Sequence, residues 1–129
     1  MSYTPVQHCI DACNACANAC DQCADACMHE ANVYAMIDSI SLDIDCAEIC
    51  RLTAGYVARG SKSAALICEA CAAICERCQN ETAKYPMAYS KACAEACRVC
   101  LEACRAFAIA SRPAHHHHRR DAVMAGLRQ

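Results

Sequence analysis

The sequence predicts an all-α protein: an antiparallel up-down four-helix bundle with a Cys-lined core. Three observations predict it. Sixteen of the 129 residues are cysteine, and nearly all are spaced four and three apart. That mean period of 3.5 marks the seam buried between packed helices. Capping residues, Pro and Gly divide residues 1–113 into four helical segments with short connections, which favours antiparallel neighbours. The chain also repeats itself. Cys-x2-Cys-x3-Cys-x2-Cys occurs at Cys13–Cys23 and Cys68–Cys78, and Cys-Ala-Glu-x-Cys-Arg at Cys46–Arg51 and Cys93–Arg98. The first two helices thus form a hairpin related to the last two.

Each segment has its own signals. Thr4-Pro5-Val6-Gln7 reads as an N-cap, a Pro at N1 and a capping-box Gln. The first helix runs to about His29 and carries Cys9, Cys13, Cys16, Cys20, Cys23 and Cys27. Its end is poorly marked, and a break is placed there because a helix running on to Arg59 would be unusually long. The second helix runs from about Asn32 to Arg59 with Cys46 and Cys50. Gly60 is a good C′ residue, and Ser61 is a good N-cap for the next helix. The third, Lys62 to Lys84, carries Cys68, Cys71, Cys75 and Cys78. Pro86 closes it and opens the fourth, which runs to about Ala110 with Cys93, Cys97, Cys100 and Cys104. Residues 114–129 form a His-containing tail, with one short helix expected from about Asp121 to Leu127.

Composition narrows the function. Apolar residues make up 57%, but Cys and Ala supply much of that, and Phe107 is the one Phe in a chain without Trp. Ala12, Ala17, Ala19, Ala24, Ala26, Ala94, Ala96 and Ala103 flank the cysteines, leaving thiols as the main inward projections. The outward positions are polar: Asn14, Asn18, Asp21, Asp25, Glu69, Glu76, Glu95 and Arg98. The formal charge of −2 and the lack of a polybasic stripe give no basis for nucleic acid as a partner. No apolar run approaches spanning length, so no membrane is expected. Met1 to Pro5 shows no secretory n-region or h-region, which makes the cytoplasm, with its reduced thiols, the expected compartment.

One buried Cys is usually just a small core residue. Sixteen in register call for a scaffold or a metal. Disulfides along a helix fit badly, because Cβ atoms three or four residues apart lie about 5–6 Å apart and a disulfide needs roughly 3.5–4.5 Å. Two thiolates sharing an ion at about 2.3 Å each sit roughly 4–4.5 Å apart, which rotamer changes can reach. Charge then bears on which ion. If all sixteen thiols ionise, four Zn²⁺ leave about eight negative charges in the core, whereas one Cu⁺ per thiolate leaves none. Neither Lys nor Arg lies on the cysteine seams to offset the excess, and uncompensated buried charge costs several kcal/mol per ion. Soft thiolates also select Cu(I). Zinc storage of a metallothionein-like kind is the alternative. An iron–sulfur electron carrier ranks below it: the bacterial run C-x2-C-x2-C-x3-C-P is matched only in part by Cys97, Cys100 and Cys104, with Arg105 where Pro would follow. A redox thiol buffer comes last. No nucleophile–base pairing or cofactor motif points to an enzyme.

On these residues the chain resembles the bacterial copper storage proteins, specifically their cytosolic branch. The resemblance covers about residues 4–110 and rests on four Cys-bearing helices and the C-x3-C-x2-C repeats. It implies a four-helix bundle that assembles into homotetramers. It also implies many Cu(I) ions held along the bundle interior, with all sixteen cysteines as ligands. Copper buffering and detoxification, or supply through a copper chaperone or to a cuproenzyme, follow as the expected role.

The two ends of the bundle differ. Extending the second seam back from Cys50 and Cys46 gives Asp43, Ser39, Met36 and Asn32, towards the end that holds Cys27 and Cys78. Copper is expected to enter there, with Met36 and Asp43 as extra ligands and His29 close by. Core filling is the other reading of Met36. A small helix rotation would leave Asp43 in solvent. Val57 and Phe107 plug the opposite end. His8 is expected at the surface, and His115 to His118 read as part of a solvated tail.

Overall fold

The computed structural model describes residues 4–112. Four helices form the bundle: α1 (Pro5–Met28), α2 (Ile37–Ala58), α3 (Ala64–Thr82) and α4 (Ala88–Ala110). Contacts run round a square, from α1 to α2, α2 to α3, α3 to α4 and α4 back to α1. Sulfur pairs give the directions. Cys13 meets Cys104 and Cys20 meets Cys93, so α1 and α4 are antiparallel. Cys46 meets Cys75 and Cys50 meets Cys71, so α2 and α3 are too. This is the expected up-down bundle. The expected short helix in the tail lies outside the described residues.

Thr4 caps α1: its Oγ1 accepts from the Gln7 amide at 3.1 Å, and Pro5 opens the helix. Gln7 does not complete a capping box; its Nε2 donates to Asp11 Oδ1. α2 starts five residues later than its pattern suggested. Val33–Met36 form a 3-10 turn instead. Nothing in residues 30–36 caps a helix, and the tight turn swings Met36 across the bundle end, where it is fully buried. Burial there outweighs one more turn of hydrogen bonds. α3 also starts late. Ser61 caps the turn before it, accepting from the Ser63 amide, and Ala64 opens the helix. Pro86 lies in the link to α4 rather than opening it. Met87, with extended backbone, is the N-cap, and Pro86 disfavours helical backbone at Tyr85.

At the end of α2, Gly60 has φ +64°. Its amide bonds to Val57 O, and the Ser61 amide bonds to Tyr56 O, the paired pattern of a Schellman stop. A side chain at this φ is strained. Gly60→Ala should therefore lower the stability of the metal-free protein by about 1 kcal/mol. Since no heavy atom lies within 4 Å of the added Cβ, the loss should come from the backbone alone. Urea unfolding of both proteins under reducing conditions checks this, and an unchanged midpoint would contradict it.

Candidate metal centre

All sixteen cysteines are fully buried and none is in a disulfide. Most of their sulfurs form a continuous column inside the square of helices. Starting at Cys68, a path runs through Cys9, Cys104, Cys13, Cys100, Cys50, Cys46, Cys16 and Cys20 to Cys93. No step in it exceeds 4.0 Å. Several sets of four come together with all sulfurs within 4.8 Å of one another. Cys13, Cys71, Cys100 and Cys104 form one, Cys16, Cys20, Cys46 and Cys97 a second, and Cys20, Cys78, Cys93 and Cys97 a third. The sets share members, so the column has no natural division into isolated sites.

The spacing already suits a shared ion. Contacts run from 3.6 Å between Cys46 and Cys75 to 4.0 Å between Cys46 and Cys50. Metal–sulfur bonds of about 2.3 Å put sulfurs roughly 3.8 Å apart in a tetrahedral site and roughly 4.0 Å apart in a trigonal one. These distances admit Zn²⁺ as well as Cu⁺, so charge has to discriminate. Among the described residues the fully or nearly buried polar side chains are Ser39, Asp43, Thr53, Thr82 and Ser90, with no Lys or Arg. No internal cation balances ionised thiols. The thiols also perturb one another. Hydrogen bonds from Cys100 and Cys20 draw Cys16 strongly down, whereas bonds from Cys16 and Cys46, together with burial, push Cys20 strongly up. The column therefore titrates as a network and not as independent groups.

Asp43 is buried, not solvent-facing. It fills the corner of α2 at the level of Cys20, Cys78 and Cys93. Its Oδ1 accepts from Cys78 and Cys93, each at 3.3 Å. Burial, reinforced by the Cys93 sulfur, pushes its carboxyl up to about 10. At neutral pH it is therefore protonated and adds no charge to the core. Met36, seven residues earlier at the start of α2, is also buried, while His29 is exposed at the end of α1. The His29 Nδ1 donates to the Asp25 carbonyl at 2.8 Å. Asn32 is exposed, and Val57 and Phe107 are buried at the far end as expected.

Sequence reasoning missed several side chains at the Met36 end. Ser90, three residues before Cys93, and Thr82, four after Cys78, prolong the seams with hydroxyls. Their spacing was the available signal. Thr82 bonds the Cys78 carbonyl, but Ser39 Oγ, Ser90 Oγ and Asp43 Oδ2 are buried without a hydrogen-bond partner. Such groups cost about 1–3 kcal/mol each. Two tyrosines pin the segment between α1 and α2 over this end. Tyr89 donates to Glu30 Oε2 at 2.7 Å and Tyr85 to the Ala35 carbonyl at 3.2 Å.

The repeat is also staggered. Cys13 corresponds to Cys68 in sequence, yet Cys9 lies against Cys68, and Cys13 groups with Cys71. The two hairpins are offset by one step of the seam.

Fold and core together define a class, a four-helix bundle whose interior is a thiolate metal site. The chain belongs to the copper storage protein family, whose sequence profile matches residues 2–109. Solved structures agree. The Cu(I)-bound copper storage protein BsCsp3 is 37% identical, with a TM-score of 0.78 over 81% of this chain and 99% of that one. The metal-free copper storage protein 3 from Bacillus subtilis is 39% identical, with a TM-score of 0.74 over 78% and 95%. A cytosolic copper storage protein from Streptomyces lividans, solved with five coppers, is 35% identical, with a TM-score of 0.79 over 81% and 92%. No curated protein sequence gives a significant match. No described helix is long and apolar enough to cross a membrane.

Asp43 sets a pH dependence. Its folded value lies above the ordinary 3.8, so folding holds a proton that the unfolded chain releases. The resulting penalty is absent below about pH 4, grows as pH rises and is complete near pH 10. Asp43→Asn should remove it. The metal-free variant should be more stable than wild type by on the order of a few kcal/mol at pH 8 and nearly equal at pH 4. Urea unfolding at the two pH values measures the difference; the same gap at both would rule out this origin.

Proposed function

We propose that this protein is a non-enzymatic store that holds many Cu(I) ions through its cysteine thiolates, all sixteen serving as ligands. The observation that carries this reading is the sulfur column in a core that, among the described residues, holds no buried Lys or Arg. Each Cu⁺ that replaces a thiol proton leaves the core's charge unchanged, so filling can continue along the column. Each Zn²⁺ held by four thiolates adds two negative charges, and that cost accumulates. Zinc storage stays the second reading because the four-sulfur groups fit a Cys₄ site in distance.

The copper-binding unit is residues 1–113, with residues 114–129 appended as a tail. The compartment is the cytoplasm, supported by the cytosolic Streptomyces lividans relative. The working form is a homo-oligomer, a tetramer by family resemblance, which buffers copper and exchanges it with a copper chaperone or a cuproenzyme. Copper passes through the end capped by Met36, where Asp43, Ser39 and Ser90 supply donors without partners. Met36 and Asp43 act there as transit ligands, with His29 outside as a first contact.

Anaerobic titration of the reduced protein with Cu(I) against a chromophoric competitor tests the store. A dozen or more tightly held ions per chain are expected; saturation near four would favour separate tetrathiolate sites and bring zinc forward. Met36→Leu keeps the volume and removes the thioether. It should slow the uptake of Cu(I) severalfold in stopped-flow while leaving the final capacity unchanged. Equal rates would remove Met36 from the path.

A further inference from the structure

We propose that residues 29–36 are a strap across the Met36 end of the column and that the Tyr89–Glu30 hydrogen bond is its latch, which sets the rate at which Cu(I) enters and leaves. The inference rests on the reading above that copper passes through this end, and it adds what opens that end.

The interior is shut. All sixteen cysteines are fully buried, and so are Ser39, Asp43 and Ser90 at the Met36 end. No ion reaches a thiol until some part of the chain moves. Local opening falls where few buried contacts resist it. The far end is closed by packed carbon, Val57 and Phe107, which stand within the long helices α2 and α4. The strap is held more lightly. None of residues 28–35 is buried, and Met36 is the residue that reaches inside. Asn32, at the start of the 3-10 turn, makes no side-chain cap. The backbone of Val33–Met36 approaches α1 and α2 but neither α3 nor α4.

Two half-buried tyrosines of the second hairpin bridge that gap, and they are not equivalent. The Tyr85 hydroxyl can donate to the Ala35 carbonyl at 3.2 Å or to Glu81 Oε2 of its own hairpin at 3.3 Å. It keeps an acceptor whether the strap is closed or open, so closure gains it little. Tyr89 donates to Glu30 Oε2 at 2.7 Å, a short bond to a carboxylate and so one of the stronger kind. Tyr89 also lies against Cys27, the last cysteine of α1. Burial pushes that thiol up, and the Cys23, Tyr89 and Ser39 side chains draw it down. Breaking the Tyr89–Glu30 bond frees the strap to lift from Cys27 and carry Met36 with it.

Hydrogen exchange and stopped-flow Cu(I) uptake on the reduced, metal-free full chain test this together. Tyr89→Phe keeps the ring and removes the hydroxyl. It should speed amide exchange through residues 30–36 about tenfold, the factor one such hydrogen bond is worth, and speed Cu(I) uptake by the same factor. Release to a chromophoric chelator should quicken equally, with affinity and capacity unchanged, because a latch that holds no copper lowers both barriers alike. Glu30→Ala should match it, the double variant should add nothing further, and Tyr85→Phe should change either rate less than twofold. Iodoacetamide should label Cys27 before any other cysteine, and sooner in Tyr89→Phe. Unchanged exchange in residues 30–36 would overturn the latch. Faster exchange with unchanged uptake would overturn the passage of copper through this end, on which the latch rests. Equal acceleration by Tyr56→Phe, near the far end of α2, would show a general loosening of the bundle and overturn the latch.

Discussion

Mutual repulsion among buried thiolates is the constraint on which the rest of this structure depends. Sulfurs 3.6–4.0 Å apart, with no buried Lys or Arg among the described residues, cannot all ionise unless cations take the protons' places. The metal-free core therefore keeps most of its protons, and filling is an exchange of one positive charge for another. The backbone has little to do in that exchange. Four helices whose backbones approach only those of their neighbours act as rails, holding the sulfurs at distances a shared ion already requires. Small Ala residues beside the seams, such as Ala12, Ala17 and Ala24, let those rails approach closely enough for sulfurs on diagonal helices to touch, as Cys50 and Cys100 do at 3.8 Å.

The same constraint explains why the column stops where it does. At one end Val57 and Phe107 replace sulfur with carbon and seal the interior. At the other the seams continue as Ser39, Ser90, Thr82 and Asp43. These donors bind a soft ion less tightly than thiolate does, so they can pass one on without retaining it. The carboxyl of Asp43, neutral because it is buried, adds no charge to the empty column.

Much of this was legible in the sequence because a period of 3.5 residues reports directly on which side chains share a seam. The sixteen thiols, the plug residues and the inward positions of Met36 and Ser39 all follow from counting threes and fours. Burial of Asp43 did not, because one carboxylate on a seam can be reached by solvent after a small rotation. What decides its place is contact with Cys78 and Cys93, which belong to two other helices. The late start of α2 was hidden for a similar reason: no local signal competes with the burial of Met36 beneath residues supplied by the rest of the bundle. The one-step offset between the repeats was equally invisible, since similarity along the chain says nothing about relative height.

α2 stands apart from the other helices in a way that joins these threads. It contributes two cysteines where α1 contributes six, and the rest of its inner seam is Met36, Ser39, Asp43, Thr53 and Val57. A helix with fewer thiols inside can bear less of the cost of an ionised core. Its position is fixed instead by packing against α1 and α3. That packing holds Met36 and Asp43 buried at one end of the column, with Asp43 against Cys78 and Cys93.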